Sequence, residues 1–121
     1  MDELKPTLLL FLALVFSSRP ALTQTLVGDA SVWSTGCYQV TPNLNSSSGA
    51  VWFPGPVDVS SSFEMRAQVF LGTGDGGADG MAFVLRSPSS LSLGSTPGGA
   101  NQGFGGITPS LIVEMDTYTN S

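Results

Sequence analysis

The chain has 121 residues, of which only 11% are charged, and its nine acidic against four basic side chains leave a formal net charge of −5. So few scattered cations cannot build a stripe that tracks phosphates, which argues against a nucleic-acid partner. The sequence contains no histidine, which excludes a Ser-His-Asp or Cys-His nucleophile and a histidine-rich zinc site within it, and the length suits one domain at most.

Residues 7–16 read TLLLFLALVF, an uninterrupted apolar run bounded by Lys5-Pro6 and by Ser17-Ser18-Arg19. A membrane span needs about 20 apolar residues, so this run has instead the length of a signal-peptide core, with Ala21-Leu22-Thr23 as a small-residue cleavage site. Asp2 and Glu3 offset Lys5, and an uncleaved anchor is the alternative reading. The expectation is a signal peptide over 1–23, a mature domain over 24–121 with no membrane span, and a secreted, extracellular protein. The single cysteine, Cys37, can form no internal bridge and is expected to pack as a small buried hydrophobe.

After the leader, residues 26–38 (LVGDASVWSTGCY) read as an opening strand and turn, with Leu26, Val32 and Trp33 as its apolar positions. Residues 39–48 are turn-rich, and Asn45-Ser46-Ser47 matches a glycosylation sequon that matters only in a eukaryotic secretory pathway. Residues 49–56 (GAVWFPGP) form a short strand that ends at prolines, which cannot serve a central ladder. A link over 57–62 leads to residues 63–71 (FEMRAQVFL), where Phe63, Met65, Ala67 and Val69 alternate with Glu64, Arg66 and Gln68. That pattern predicts a strand with one buried face.

Residues 72–77 (GTGDGG) fit the G-x-G-x-x-G spacing of dinucleotide sites, but that site needs a helix next to hold the pyrophosphate. The apolar run Met81-Ala82-Phe83-Val84-Leu85 follows instead and reads as a strand, so these glycines serve a tight connection. Residues 87–108 are a long loop rich in Gly, Ser and Pro, a length that points to function when the loop lies between two candidate site blocks. Leu111, Ile112 and Val113 then predict a buried strand. No internal repeat and no sustained helical periodicity are present, and short strands between Gly and Pro turns predict a sandwich or jelly roll.

Glu114 and Asp116 extend that last strand and, two residues apart, point to one face. Two carboxylates about 6–7 Å apart repel unless a cation lies between them or one is protonated. Tyr118 and Asn120 continue the alternation, and carboxylates, an amide oxygen and a main-chain carbonyl are the donors calcium prefers. A strand with a solvated acidic face satisfies the same spacing, and the residues alone leave both readings open.

Three blocks in order, Ala78-Asp79-Gly80, the glycine-rich residues 94–106 and Val113-Glu114-Met115-Asp116-Thr117, resemble the L-type (legume-lectin-like) lectin family. The resemblance spans residues 28–121. It implies an all-β, antiparallel β-sandwich (jelly roll, concanavalin-like), of which this chain is the N-terminal part. It further implies a carbohydrate-binding, non-catalytic domain ordered by calcium and a transition metal such as manganese, with glycans as partners. In that family the matching residue to Asp79 accepts hydrogen bonds from two sugar hydroxyls, and the bond from Ala78 is cis. Gly99 matches the glycine-rich loop's main-chain donor to the sugar, while an alignment on Gly103 places Ala100 there instead. Glu114 matches a transition-metal ligand and Asp116 the carboxylate bridging both ions. Tyr118 matches a main-chain carbonyl ligand of calcium whose ring stacks on the sugar. Asn120 matches a side-chain calcium ligand that also donates its N–H to the sugar. The family's remaining ligands, an aspartate and a histidine, are expected downstream of Ser121.

Two other functions compete. A glycoside hydrolase on a related jelly roll carries Glu-x-Asp followed by a further glutamate, and Tyr118 and Thr119 stand where that carboxylate belongs. An adhesive or structural module that has lost sugar binding would not need the complete Ala-Asp-Gly and Glu-x-Asp-x-Tyr-x-Asn patterns.

Overall fold

A computed structural model describes residues 23–74, 76–87, 91–94 and 99–119; the leader through residue 22 and Asn120 lie outside them. Six short strands appear in chain order: β1 Thr25–Gly28, β2 Ser31–Ser34, β3 Cys37–Gln39, β4 Gly49–Trp52, β5 Gly80–Arg86 and β6 Ser110–Asp116. Among the described residues every strand pair is antiparallel, as β1 with β4, β2 with β3 and β5 with β6. A three-residue 3-10 turn, Gly99–Asn101, is the helical element in this part of the chain. The all-β, antiparallel architecture expected from the sequence is therefore the observed one.

Each pair has a local cause. β4 stops at Trp52 because Pro54 and Pro56 cannot donate to a ladder. At the other end of the β1–β4 pair, Gly28 faces Gly49. The backbones crowd so closely there that a Cβ on Gly49 would lie 1.9 Å from the Val40 carbonyl oxygen. Asp29 closes this corner twice: its N–H donates to the Ser48 oxygen at 2.9 Å, and its carboxylate accepts from the Ser48 N–H at 2.9 Å. β2 and β3 form a hairpin with an irregular register between Val32 and Ser34. In the link, Asp58 accepts from the Ser60 hydroxyl and N–H, which holds its carboxyl below the ordinary carboxylate range.

The β5–β6 pair is the longest and has two unlike faces. Its register places Met81, Phe83 and Leu85 opposite Met115, Val113 and Leu111, so one face carries six apolar side chains. The other face runs from Gly80 and Asp116, through Ala82 with Glu114 and Val84 with Ile112, to Arg86 with Ser110. At that far end the Arg86 guanidinium sits 5.6 Å from the Trp52 ring, linking β5 to β4. Ile107, only 6% exposed, is the buried apolar side chain among the described residues. It is anchored by its N–H on the Phe104 oxygen and by its own carbonyl, which accepts the Ser110 hydroxyl.

Three expectations are corrected. Residues 63–71 form no strand: they are exposed throughout and pair with no other described segment. Alternation reports which side chains could share a face, but a strand also needs a partner backbone, and Glu64 and Arg66 merely contact each other at the surface. The run Leu111 to Val113 is a strand but not a buried one, with Leu111 61% and Val113 55% exposed. Leu111 lines a wide, open concavity together with Met81, Phe83, Leu85 and Met115. A hydrophobic run specifies the strand, whereas burial requires a second layer over it. Cys37 is exposed at the start of β3 in the β2–β3 hairpin, whereas its neighbour Tyr38 packs edge-on against Phe53.

Candidate functional site

The register of β5 and β6 brings the sequence blocks together. Gly80 is the direct partner of Asp116, so the Ala78-Asp79-Gly80 loop enters β5 beside the point where the acidic strand leaves the sheet. Gly80 has φ +133, and a Cβ there would lie 2.2 Å from the Met115 carbonyl oxygen. No other residue fits that close approach. Gly80→Ala should therefore destabilise the fold by about 2–4 kcal/mol, read as a lowered denaturation midpoint.

Just before it, the Ala78–Asp79 peptide is cis, the geometry the resemblance implies for that step. The main-chain oxygen of Asp79 is a junction. It accepts the Thr117 N–H at 3.1 Å and the Gln102 side-chain amide at 3.4 Å. The Thr117 hydroxyl donates in turn to the Gly77 oxygen at 3.3 Å. The two bonds on the Asp79 oxygen join one loop, one strand end and the glycine-rich turn, although the three are well separated along the chain.

The glycine-rich segment takes its shape from local bonds. The Gln102 N–H closes on the Gly99 oxygen at 3.0 Å and the Phe104 N–H on the Asn101 oxygen at 2.8 Å. Gly94 donates to the Gly103 oxygen at 2.9 Å, which folds the start of the loop back on its end. Gly99 and Ala100, the two alternatives for the main-chain donor, are both exposed at the first turn.

On β6, Glu114 and Asp116 are both exposed and share the face opposite the six apolar side chains. Asp116 Oδ1 accepts the Tyr118 N–H at 2.9 Å, a turn in which the carboxylate caps its own loop. Residues 116–119 line an open cleft of about 470 Å³, and Tyr118 presents a half-exposed ring. No three acidic or cysteine side chains cluster as a metal-binding group among the described residues.

The structure thus brings Asp79, Asp116, Tyr118 and the Gly99 turn into one region, leaves Glu114 further back along the same strand face, and does not describe Asn120. Two participants escape a reading of the sequence. Thr117 belongs to a motif that gives it no role, and Gln102 carries no signal at all, since nothing in its spacing names a partner 23 residues away.

The Legume lectin beta-barrel domain family matches residues 18–121 of the chain. Among individual proteins, the pesticidal crystal protein Cry22Aa of Bacillus thuringiensis is 34% identical over 88 residues, 73% of this chain but 12% of that protein. No solved structure matches the chain with significance.

Proposed function

The chain belongs to the legume lectin β-barrel domain family, and on that premise we propose that it is a secreted, non-catalytic domain that binds carbohydrate around Asp79. The observation that carries this reading is the junction at the Asp79 carbonyl, which gathers the three blocks that the family's sugar site uses. The Asp79 carboxylate accepts two vicinal sugar hydroxyls in charge-assisted hydrogen bonds. The exposed Tyr118 ring offers an apolar surface to the sugar's C–H face. The main-chain N–H of Gly99, or of Ala100 in the shifted alignment, donates from the far side, with Asn120 as a further donor.

The donor chemistry fits a hard divalent cation: Glu114 and Asp116 are exposed carboxylates on one face, next to a loop of main-chain oxygens. Glu114 and Asp116 would hold manganese, and Asp116, the Tyr118 carbonyl and the Asn120 side chain would hold calcium. Calcium takes six to eight oxygens, so further donors complete the set. When bound, the ions neutralise the two like charges and fix residues 116–119 without entering any bond-making step. The chain spans 12% of the crystal protein it resembles, and that protein's activity is not carried over. A hydrolase reading lacks a third carboxylate at Tyr118 or Thr119.

The test is binding of the full-length protein to immobilised terminal mannose, glucose, galactose and N-acetylglucosamine, with calcium and manganese and then with EDTA. The expected result is binding to at least one sugar that EDTA removes and calcium restores. A folded protein that binds none of them in the presence of both metals would leave the family's fold without its function, as an adhesive module.

A further inference from the structure

Gln102 and Thr117 both donate to the Asp79 carbonyl, and of the two it is Gln102 that reaches it through a side chain. Its φ is +42, between Gly99 at +59 and Gly103 at +83. Glycine takes such a conformation at least cost, so a glutamine held there calls for an account in terms of its side chain. The amide orientation is dictated by chemistry. The Asp79 carbonyl can only accept, so Nε2 must face it, at 3.4 Å. That leaves Oε1 buried with no hydrogen-bond partner among the described residues. The side chain keeps this orientation despite an orphaned acceptor, and the contact it makes is therefore the one it is placed for.

We propose that Gln102 is a positioning residue of the sugar site: its side-chain N–H holds the Asp79 carbonyl and so sets the glycine-rich turn against the Ala78-Asp79-Gly80 loop. The inference rests on the reading of Asp79 as the sugar acceptor. With Gln102 in place the Asp79 oxygen is fixed from two sides, by the turn and by Thr117 at the end of β6. Without it only Thr117 remains, and both the carboxylate of Asp79 and the main-chain N–H groups at Gly99 and Ala100 lose their common reference.

Two variants of the full-length protein, read in two ways, decide the matter. Gln102→Leu keeps the volume and removes the donor. The expected outcome is roughly 5–10-fold weaker binding to the sugar that binds wild type best in the immobilised panel. Amide hydrogen exchange should also be faster at Thr117, with β1–β4 amides such as Leu26 and Val51 unchanged. Gln102→Glu places an ionised carboxylate against the Asp79 carbonyl at neutral pH. Its charged form is disfavoured there, so the introduced carboxyl has a raised pKa. Binding relative to wild type at the same pH should fall at least about 10-fold at pH 7.5 and recover toward pH 5, as the protonated carboxyl donates in place of the amide. A merely structural role would lower thermal stability in both variants and leave that ratio flat with pH. Unchanged Thr117 exchange in both variants overturns the proposal even where wild type binds sugar. If wild type binds no sugar the carbohydrate reading falls by itself, and Thr117 exchange still decides whether Gln102 holds the Asp79 loop.

Discussion

Asp79→Ala should weaken sugar binding by more than about 100-fold while leaving the fold in place. The magnitude follows from the bonds lost: hydrogen bonds to a charged group contribute about 1.5–3 kcal/mol each, two are proposed, and about 1.4 kcal/mol is a factor of ten in affinity. The selectivity of the effect follows from the structure. Asp79 joins the site together through its main-chain oxygen, which accepts from Thr117 and Gln102, and that oxygen is untouched by the substitution. The side chain is only half-buried, so its removal opens no cavity. Asp79→Asn retains one acceptor oxygen but not the charge and should fall between the two, losing about 10–100-fold. Calorimetric titration with the best-binding sugar reads both, with thermal denaturation as the control for folding. An alanine variant that binds like wild type would show that the acceptor is elsewhere.

The second large effect concerns the ions. Glu114 and Asp116 lie on one face of β6, about 6–7 Å apart by strand geometry, and without a cation they repel. Asp116→Asn separates the carboxylate's two roles. The amide oxygen can still accept the Tyr118 N–H that Asp116 Oδ1 accepts at 2.9 Å, so the turn survives, while the charge that would bridge two ions is gone. Calcium affinity should drop by roughly 100-fold. A ligand present at about 100 times its Kd stabilises the folded state by about 2.7 kcal/mol. Excess calcium should therefore raise the wild-type melting temperature by several degrees and leave that of Asp116→Asn almost unmoved. Equal calcium shifts in the two proteins would remove Asp116 from the metal site.

Much of this arrangement is legible in the sequence, and what is not has identifiable causes. The strands that build the site, β5 and β6, are both marked by continuous apolar runs, and the two-residue spacing of Glu114 and Asp116 on an extended backbone is enough to place them on a common face. The rejection of a dinucleotide site at residues 72–77 rests on the strand that follows, and β5 is that strand. Local pattern misleads where it is made to report long-range facts. The alternation over residues 63–71 is real, but it names no partner, and the described residues supply none. Leu111 and Val113 have the composition of a core, yet their exposure is decided by what lies across from their face. Cys37 is apolar enough to bury, yet it is exposed while its neighbour Tyr38 takes the packed position against Phe53. Gln102 lies furthest from sequence reading, because its only distinguishing features are a positive φ and a contact to a carbonyl in another loop. The motifs identify which residue types are present; the register Gly80 to Asp116 is what makes them neighbours.

The central claim is that sugar binds where these three segments meet, and chemical-shift mapping of the isotopically labelled full-length protein addresses it directly. In the presence of calcium, with magnesium as a diamagnetic substitute for manganese, titration with the best-binding sugar should shift the backbone amides of Asp79 and Gly80, of Gly99 to Gly103, and of Thr117 and Tyr118. The β2–β3 hairpin and the β1–β4 pair should stay unmoved. Shifts that saturate on the hairpin, or along residues 63–71, with the Asp79 region silent, would contradict the site described above.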